Sequence, residues 1–505
     1  MLLLAALLFG AWFRIFPPLE AGFPINDGGL FYVMIESLKQ NGFKIPQTVA
    51  YNGLGIPFVY PPLGFYLVAL ASAIFRIDTL TVLRWMPAII LIFTIPAVFA
   101  LALQLLKSRF EAGLAAFIYA LLPHSITWLI AGGGATRSPG QLFLLLATLN
   151  LYKMYTQNER KSVIASVVFC SLVVVTHPEA TIHTIGIAIA LAVLHAPTPR
   201  GIRQTTLVGA CTLLVTAPWW GSMLLRYGTA PFVAASQSGF HGAAAYVFFI
   251  DYTQEKFIPL IAVFAWIGIA FLLAKREYTL PVLFVVPFLI EPRNAPTIGM
   301  LIIPMLASRA IVQVLLPALT DSFAPETSGI SSLLGKRPQK FLAAIIVFCL
   351  IAGMQIFGME LSVQRIHPET EAAFEWIKHN TPSNSRFVIL SGITRPLEDF
   401  NNEWFPALTN RVSLTTLQGL EWDENVNFNE QTARLKETQE CEFDLDVPAC
   451  LRNQGLGTQK KFDYLIIVRT IAEPPIYLAN LPVWASEESR SVVYESHEIV
   501  IIKFP

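Results

Sequence analysis

Charge is what this chain has least of. Asp, Glu, Lys and Arg make up 14% of its 505 residues, whereas soluble globular proteins carry about 25%. Such a deficit, with 54% hydrophobic residues, excludes an ordinary soluble domain. Basic and acidic residues balance at 35 each, so there is no positive surface for nucleic acid. Cysteine is scarce as well: the five present show no zinc-site spacing. Cys170, Cys211 and Cys349 fall in apolar stretches and read as small core residues. Cys441 and Cys450 close a polar loop, CEFDLDVPAC, and a disulfide there fits a location outside the cytosol.

What the chain has instead is long apolar runs. Ile258–Ala274 and Leu342–Met354 are nearly free of charge and approach the length needed for a ~30 Å hydrocarbon core. About eleven such segments are expected to cross: 1–16, 87–106, 110–127, 139–156, 162–176, 181–195, 205–220, 256–274, 278–291, 295–316 and 341–359. The fold class expected is a polytopic α-helical membrane protein with a C-terminal extracytoplasmic α/β domain. Lys107/Arg109, Lys153/Arg160/Lys161, Arg200/Arg203, Lys275/Arg276 and Lys336/Arg337/Lys340 fall in alternate loops. The positive-inside rule makes that side cytoplasmic, with the N-terminus inside and the tail outside.

Leu63–Phe75 is apolar but about thirteen residues long, below the ~17 that span. It reads as a helix in the external interface, introduced by Pro61-Pro62; counting it as a crossing would put the basic clusters outside. The first segment has neither a basic flank nor a small-residue cleavage site, so it reads as retained rather than as a signal peptide. It is short for a crossing, and Met1 need not be the natural start.

The external face then collects Asp27 and Glu36 in the first loop (17–86), with His124 and Arg137 around the second. It also receives His177 and Glu179, Trp219 and Trp220, and Glu291 and Arg293. Ionisable groups at span ends usually pair or line a cavity, because exposing them to lipid is costly. Their convergence implies a polar cavity opening outward. Residues 361–505 differ from 1–360: charge rises, buried-strand runs occur at Arg386–Leu390, Tyr464–Val468 and Ile499–Lys503, and Glu369–His379 has the spacing of an amphipathic helix stopped by Thr381-Pro382. An α/β domain of about 140 residues, large enough to fold alone, is expected there.

Together, an acid in the first external loop (Pro24-Ile25-Asn26-Asp27-Gly28-Gly29), Tyr60-Pro61-Pro62-Leu63 and Arg84-Trp85-Met86-Pro87 resemble the GT-C superfamily of integral-membrane glycosyltransferases. Its members include protein O-mannosyltransferases, lipid A aminoarabinose transferases and oligosaccharyltransferase catalytic subunits. Phe374-Glu375-Trp376-Ile377-Lys378-His379-Asn380-Thr381-Pro382 is similar to the helix opening the periplasmic domain of oligosaccharyltransferase-like proteins. Glu403-Trp404-Phe405-Pro406-Ala407-Leu408 and Gln418-Gly419-Leu420-Glu421-Trp422 resemble segments of bacterial membrane proteins of this layout. Two departures stand out: Asn26 occupies a position where the family often has a second acid, and no Trp-Trp-Asp-Tyr-Gly motif follows Val388–Ser391. Protein N-glycosylation is therefore not implied.

The resemblance implies transfer of a sugar, with inversion, from a polyprenyl-phosphate donor to an extracytoplasmic protein, lipid or glycan. Asp27 is the expected catalytic base, or else a cap on the helix beginning near Gly28. Arg137, Arg293 and His177 are the expected donor-phosphate ligands. Against that, Arg137 could snorkel to headgroups, Arg293 could simply pair with Glu291, and His177 could be structural at the break made by Pro178. Glu179, Glu291 and Glu36 are supporting acids, Glu36 reading also as a solvated face residue. Trp219 and Trp220 read as interfacial anchors. No cofactor is expected; Ala131–Pro139 lacks an acid to help hold a metal, and a divalent cation is left open. The partners expected are a lipid-linked sugar, membrane lipids and the unidentified acceptor, at the plasma membrane. The alternatives are a non-catalytic lipid-linked glycan binder, a transporter, and a polymerase or ligase of lipid-linked glycans. Transporters place polar groups near the midplane in repeated halves, whereas here they cluster at one face.

Overall fold

The computed structural model describes residues 1–238, 247–248, 251–318, 337–444, 446–456, 462–469 and 491–504. Among the described residues, five helices are long and apolar enough to cross a membrane: Leu2–Ala21, Thr79–Leu106, Pro178–His195, Pro199–Tyr227 and Lys340–Ser362. Shorter helices lie between them, among them Arg109–Ala120, Arg160–Val174, Leu260–Ala274 and Thr279–Ile290. Helices are the economical answer to these sequences, since each satisfies its own backbone where no water can. The chain is a multi-pass membrane protein.

The expected segments are helical but unequal. The first runs on to Ala21, through Pro17 and Pro18, because Arg84 satisfies the carbonyls left at its end: it donates to Pro18 O at 2.6 Å and to Leu19 O and Gly22 O at 3.0 Å. The segment expected at 110–127 stops at Ala120. The one expected from 139 starts at Gly134, so the small-residue turn is itself the first helical turn of Gly134–Gln157. Pro199–Tyr227 carries Trp219 and Trp220 inside the helix rather than at its end. The segment at 295–316 is broken into Ala295–Gly299, Ile303–Ala310 and a π-turn, Ile311–Leu315. Pro304 has no N–H for the Met300 carbonyl, which is where the break falls. Lys336 lies outside the described residues.

The charges of Arg14 and Glu111, buried among the helices, have polar partners. Arg14, fully buried, donates to Gly10 O at 3.1 Å and Ala120 O at 3.0 Å. Glu111 lies 3.2 Å from Arg309 and accepts from Gln313 at 2.9 Å.

The first loop holds the helix Gly29–Gln40, a hairpin of β1 (Thr48–Tyr51) and β2 (Leu54–Pro57), and the helix Leu63–Phe75. Asn52-Gly53, both at positive φ, make the tight turn of that hairpin. In the tail, β3 (Arg386–Leu390), β4 (Val412–Ser413), β5 (Tyr464–Val468), β6 (Ser491–Glu495) and β7 (Ile499–Lys503) form one sheet in the order β4-β3-β5-β7-β6. β3 is parallel to β4 and β5, and β7 is antiparallel to β5 and β6. Alternate side chains enter two cores. Val388, Leu390, Leu465 and Ile502 pack on Cys441, Val447 and Leu451. Phe387, Ile389 and Ile466 pack on Phe374 and Phe405, and that core continues without a gap into Leu30, Met34, Tyr51 and Phe65 of the first loop. The tail and the first loop thus share one hydrophobic core.

Cys441 and Cys450 are joined in a disulfide, Cα–Cα 5.6 Å. Closing so short a loop stabilises by about 2–3 kcal/mol on chain-entropy arithmetic. The double variant Cys441→Ser/Cys450→Ser is expected to lose about that much in urea unfolding followed by tail tryptophan fluorescence.

Candidate active site

Asp27 lies between the first helix and Gly29–Gln40. Gly28, at φ 124°, turns the chain between them, a conformation L side chains rarely adopt. Gly28 is the N-cap of the helix and no side chain caps it locally. Asp27 reaches across to another loop instead: its Oδ1 accepts from Gly133 N at 2.9 Å, and its Oδ2 is 2.6 Å from the Arg137 guanidinium. Gly132 makes this approach possible, donating to Ile25 O at 2.8 Å; a Cβ there would collide with the Asp27 carbonyl. Asn26, in left-handed conformation at φ 52°, ties the turn to the start of the tail by donating from its N–H to Gln364 O at 2.6 Å.

Asp27 is 8% exposed. Arg137 is more open, its side chain 27% exposed, with Trp128 O at 3.4 Å and the Trp128 ring centroid at 5.6 Å. Tyr60 stands beside the pair, its hydroxyl 3.4 Å from Thr136 Oγ1 and its ring 6.3 Å from His177 and 6.1 Å from Trp422 of the tail. Burial pushes the Tyr60 phenol up to about 12; Arg137 pulls it down, and Glu179 and Asp27 add to the rise. Tyr60, Asp27, Arg137 and His177 thus lie close together.

A second cluster adjoins it. Arg293 pairs with Glu179 and lies 3.9 Å from Glu291. Glu291 accepts from Asn294 N at 2.9 Å and is 3.6 Å from His183, which is fully buried. His177 accepts from Ala180 N at 3.3 Å and so caps its own helix. Glu36 stands apart, tied to Lys39 at 2.8 Å and to Thr79. Among the described residues no three His, Cys, Asp or Glu side chains are grouped to hold a metal ion.

One residue at the site carried no sequence signal of its own. Glu403, 4% exposed on the tail helix Phe400–Thr409, accepts from Gly28 N at 2.8 Å. Burial first, then the charge of Asp27, pushes its carboxyl up to about 8, against the pull of the Gly28 N–H and Arg137. It lies in a segment singled out only for its resemblance. Its separation from Gly28 by 375 residues is why spacing did not mark it.

Residues 59–221 match the family model described as dolichyl-phosphate-mannose-protein mannosyltransferase. The oligosaccharyltransferase of Archaeoglobus fulgidus, solved with Zn and sulfate, superposes with a TM-score of 0.57 at 14% identity, over 93% of this chain and 68% of that one. ArnT from Cupriavidus metallidurans, solved with undecaprenyl phosphate, gives 0.51 at 13% identity over 99% and 97%. The chain has the GT-C glycosyltransferase fold. The mycobacterial arabinofuranosyltransferase AftD gives 0.56 at 15% identity, this chain covering 99% of itself but only 40% of AftD. No curated protein is similar enough in sequence to match. In this chain the first loop contacts both the Gly132–Arg137 turn and the tail, which is why residues far apart in sequence meet at Asp27.

Proposed function

We propose that this GT-C protein moves a sugar from a polyprenyl-phosphate carrier to an extracytoplasmic acceptor with inversion at the anomeric carbon. The observation that carries the reading is the Asp27–Arg137 pair, a carboxylate and a guanidinium 2.6 Å apart beneath the tail. The acceptor hydroxyl oxygen forms a bond to the anomeric carbon as the bond from that carbon to the phosphate oxygen breaks. Asp27 takes the hydroxyl proton, and the departing polyprenyl phosphate carries the electron pair away. A guanidinium can offer two parallel N–H groups to that phosphate, and Arg137, the more exposed partner, is placed to do so. Arg293, positioned by Glu179 and Glu291, and His177 are further phosphate donors. Positive-inside reading supports a cytoplasmic N-terminus and an extracytoplasmic tail at the plasma membrane.

The test is transfer from radiolabelled polyprenyl-phosphate sugars to endogenous membrane acceptors. Label is expected to move from the lipid donor, not from a nucleotide sugar, with the anomeric configuration reversed in the product. A second reading has one observation in its favour: both Asp27 oxygens are already engaged, one by Arg137 and one by Gly133 N, so neither is free to take a proton without giving up a partner. On that reading the protein binds lipid-linked glycans without reacting, and lipid would be retained with no transfer.

A further inference from the structure

The tail contributes more than a roof. Its helix Phe400–Thr409 meets the first loop, including the turn carrying Asp27, through three hydrogen bonds. Glu403 Oε1 accepts from Gly28 N at 2.8 Å, the Glu403 carbonyl accepts from Tyr51 Oη at 2.6 Å, and Trp404 Nε1 donates to Asn26 O at 2.8 Å. Trp404 is fully buried, with Phe23 4.9 Å from its ring. A Cβ on Gly29 would lie 2.6 Å from the Glu403 carbonyl oxygen, so the two backbones touch. Two of these contacts fall on the Asn26–Gly29 turn and the third on Tyr51 of the hairpin.

We propose that Glu403 is a positioning residue of the Asp27 site: it holds the Gly28 amide, keeps the Asn26–Gly29 turn in place, and makes the site complete only when the tail is seated. This rests on the reading of Asp27 as the base, but the seating itself can be measured without any sugar donor.

The charged and titratable groups around Glu403 are few. Asp27 faces it from the first loop, Arg137 from the helix Gly134–Gln157 and Tyr51 from the hairpin. Asp399, a turn earlier on its own helix, is held by Ser391 at 2.6 Å and Asn402 at 2.6 Å. Arg137 is paired with Asp27, and its charge also acts on Glu403. While Glu403 keeps its proton, Asp27 alone carries the negative charge opposite Arg137; once it ionises, two negative charges compete for that cation. The folded value, about 8, lies above the ordinary 4.5. Stability drawn from the neutral acid is therefore fully present below the unfolded value and is lost as pH rises through about 8.

The experiment compares the full chain in detergent as wild type, Glu403→Gln and Glu403→Ala. Amide hydrogen exchange at Asn26–Leu30 is followed from pH 6 to 9 and corrected for intrinsic rates. The wild type is expected to lose protection by at least threefold between pH 6 and about 8 and to level off above that. Glu403→Gln, which keeps the acceptor and cannot ionise, stays protected across the range, and Glu403→Ala is deprotected throughout. Equal pH dependence in wild type and Glu403→Gln overturns the proposal, as does full protection in Glu403→Ala. Where transfer is measurable, the alkaline limb of its pH profile moves upward by about one unit in Glu403→Gln, and rates exceed those of Glu403→Ala by tenfold or more. Absence of transfer in every form, with the exchange pattern intact, would count against the glycosyltransferase reading and not against the seating by Glu403.

Discussion

Asp27→Asn is expected to lower sugar transfer by 10²–10⁴-fold at matched expression, the usual worth of a general base, or about 3–5.5 kcal/mol of barrier. Asn is nearly isosteric and keeps an oxygen for Gly133 N, which Asp27 Oδ1 meets at 2.9 Å. What it loses is basicity and the ion pair with Arg137. That pair is neither fully buried nor exposed, at 12% and 27% side-chain exposure. Its loss costs about 1–3 kcal/mol of stability, between the limits for surface and interior pairs. Initial rates and thermal unfolding measured on the same preparations separate the two effects. A rate within threefold of wild type would remove Asp27 from the chemistry and leave it as the clamp between the first loop and the Gly132–Gly134 turn. Transfer lost together with folding would require Asp27→Glu as a second variant.

How much of this arrangement is legible in the chain depends on the range over which each signal acts. The strands Arg386–Leu390, Tyr464–Val468 and Ile499–Lys503 stand in the structure with the bounds their apolar runs imply, because a buried strand is encoded locally. Leu63–Phe75 is a helix of the expected length for the same reason. Helix ends are less legible. Leu2–Ala21 outlasts two prolines because Arg84, more than sixty residues away, supplies donors to its last carbonyls. Likewise, the break after Gly299 is invisible to hydropathy, since Met300–Ile303 are all apolar.

The site shows the same division. Asp27 and Arg137 are each noticeable as charges at the edges of apolar segments, but their pairing belongs to the tertiary structure. Glu403 has no such cue: its neighbours Trp404 and Phe405 mark a helix that packs, and nothing local distinguishes it from any solvated acid. Its meaning comes from Gly28 N and Asp27, brought to it by the core shared between tail and first loop. That the tail has the length of an independent domain says little about whether it acts as one.

The same close packing gives the second large effect, at a residue with no chemistry. Gly132→Ala places a methyl group against the Asp27 main-chain carbonyl, and neither backbone can yield by rotating a side chain. Relief requires the Asn26–Gly28 turn to move away from the Gly132–Gly134 turn, lengthening the Gly132 N–Ile25 O bond of 2.8 Å and carrying the Asp27 carboxylate with it. Displacement of a catalytic group by about 1 Å can cost about 10²-fold in rate, and a fall of that order in transfer is expected. Folding should survive, because the hydrophobic core shared by tail and first loop includes neither Asn26–Gly28 nor Gly132. Gly209→Ala is the matched control: it lies in the helix Pro199–Tyr227, and nothing stands within 4 Å of a Cβ at that position. Transfer in Gly209→Ala should stay within twofold of wild type. If Gly132→Ala behaves like Gly209→Ala, the geometry of Asp27 is not what limits the reaction. A hundredfold loss at Gly132 with unchanged unfolding would place the rate in the position of one carboxylate held by two glycine-rich turns.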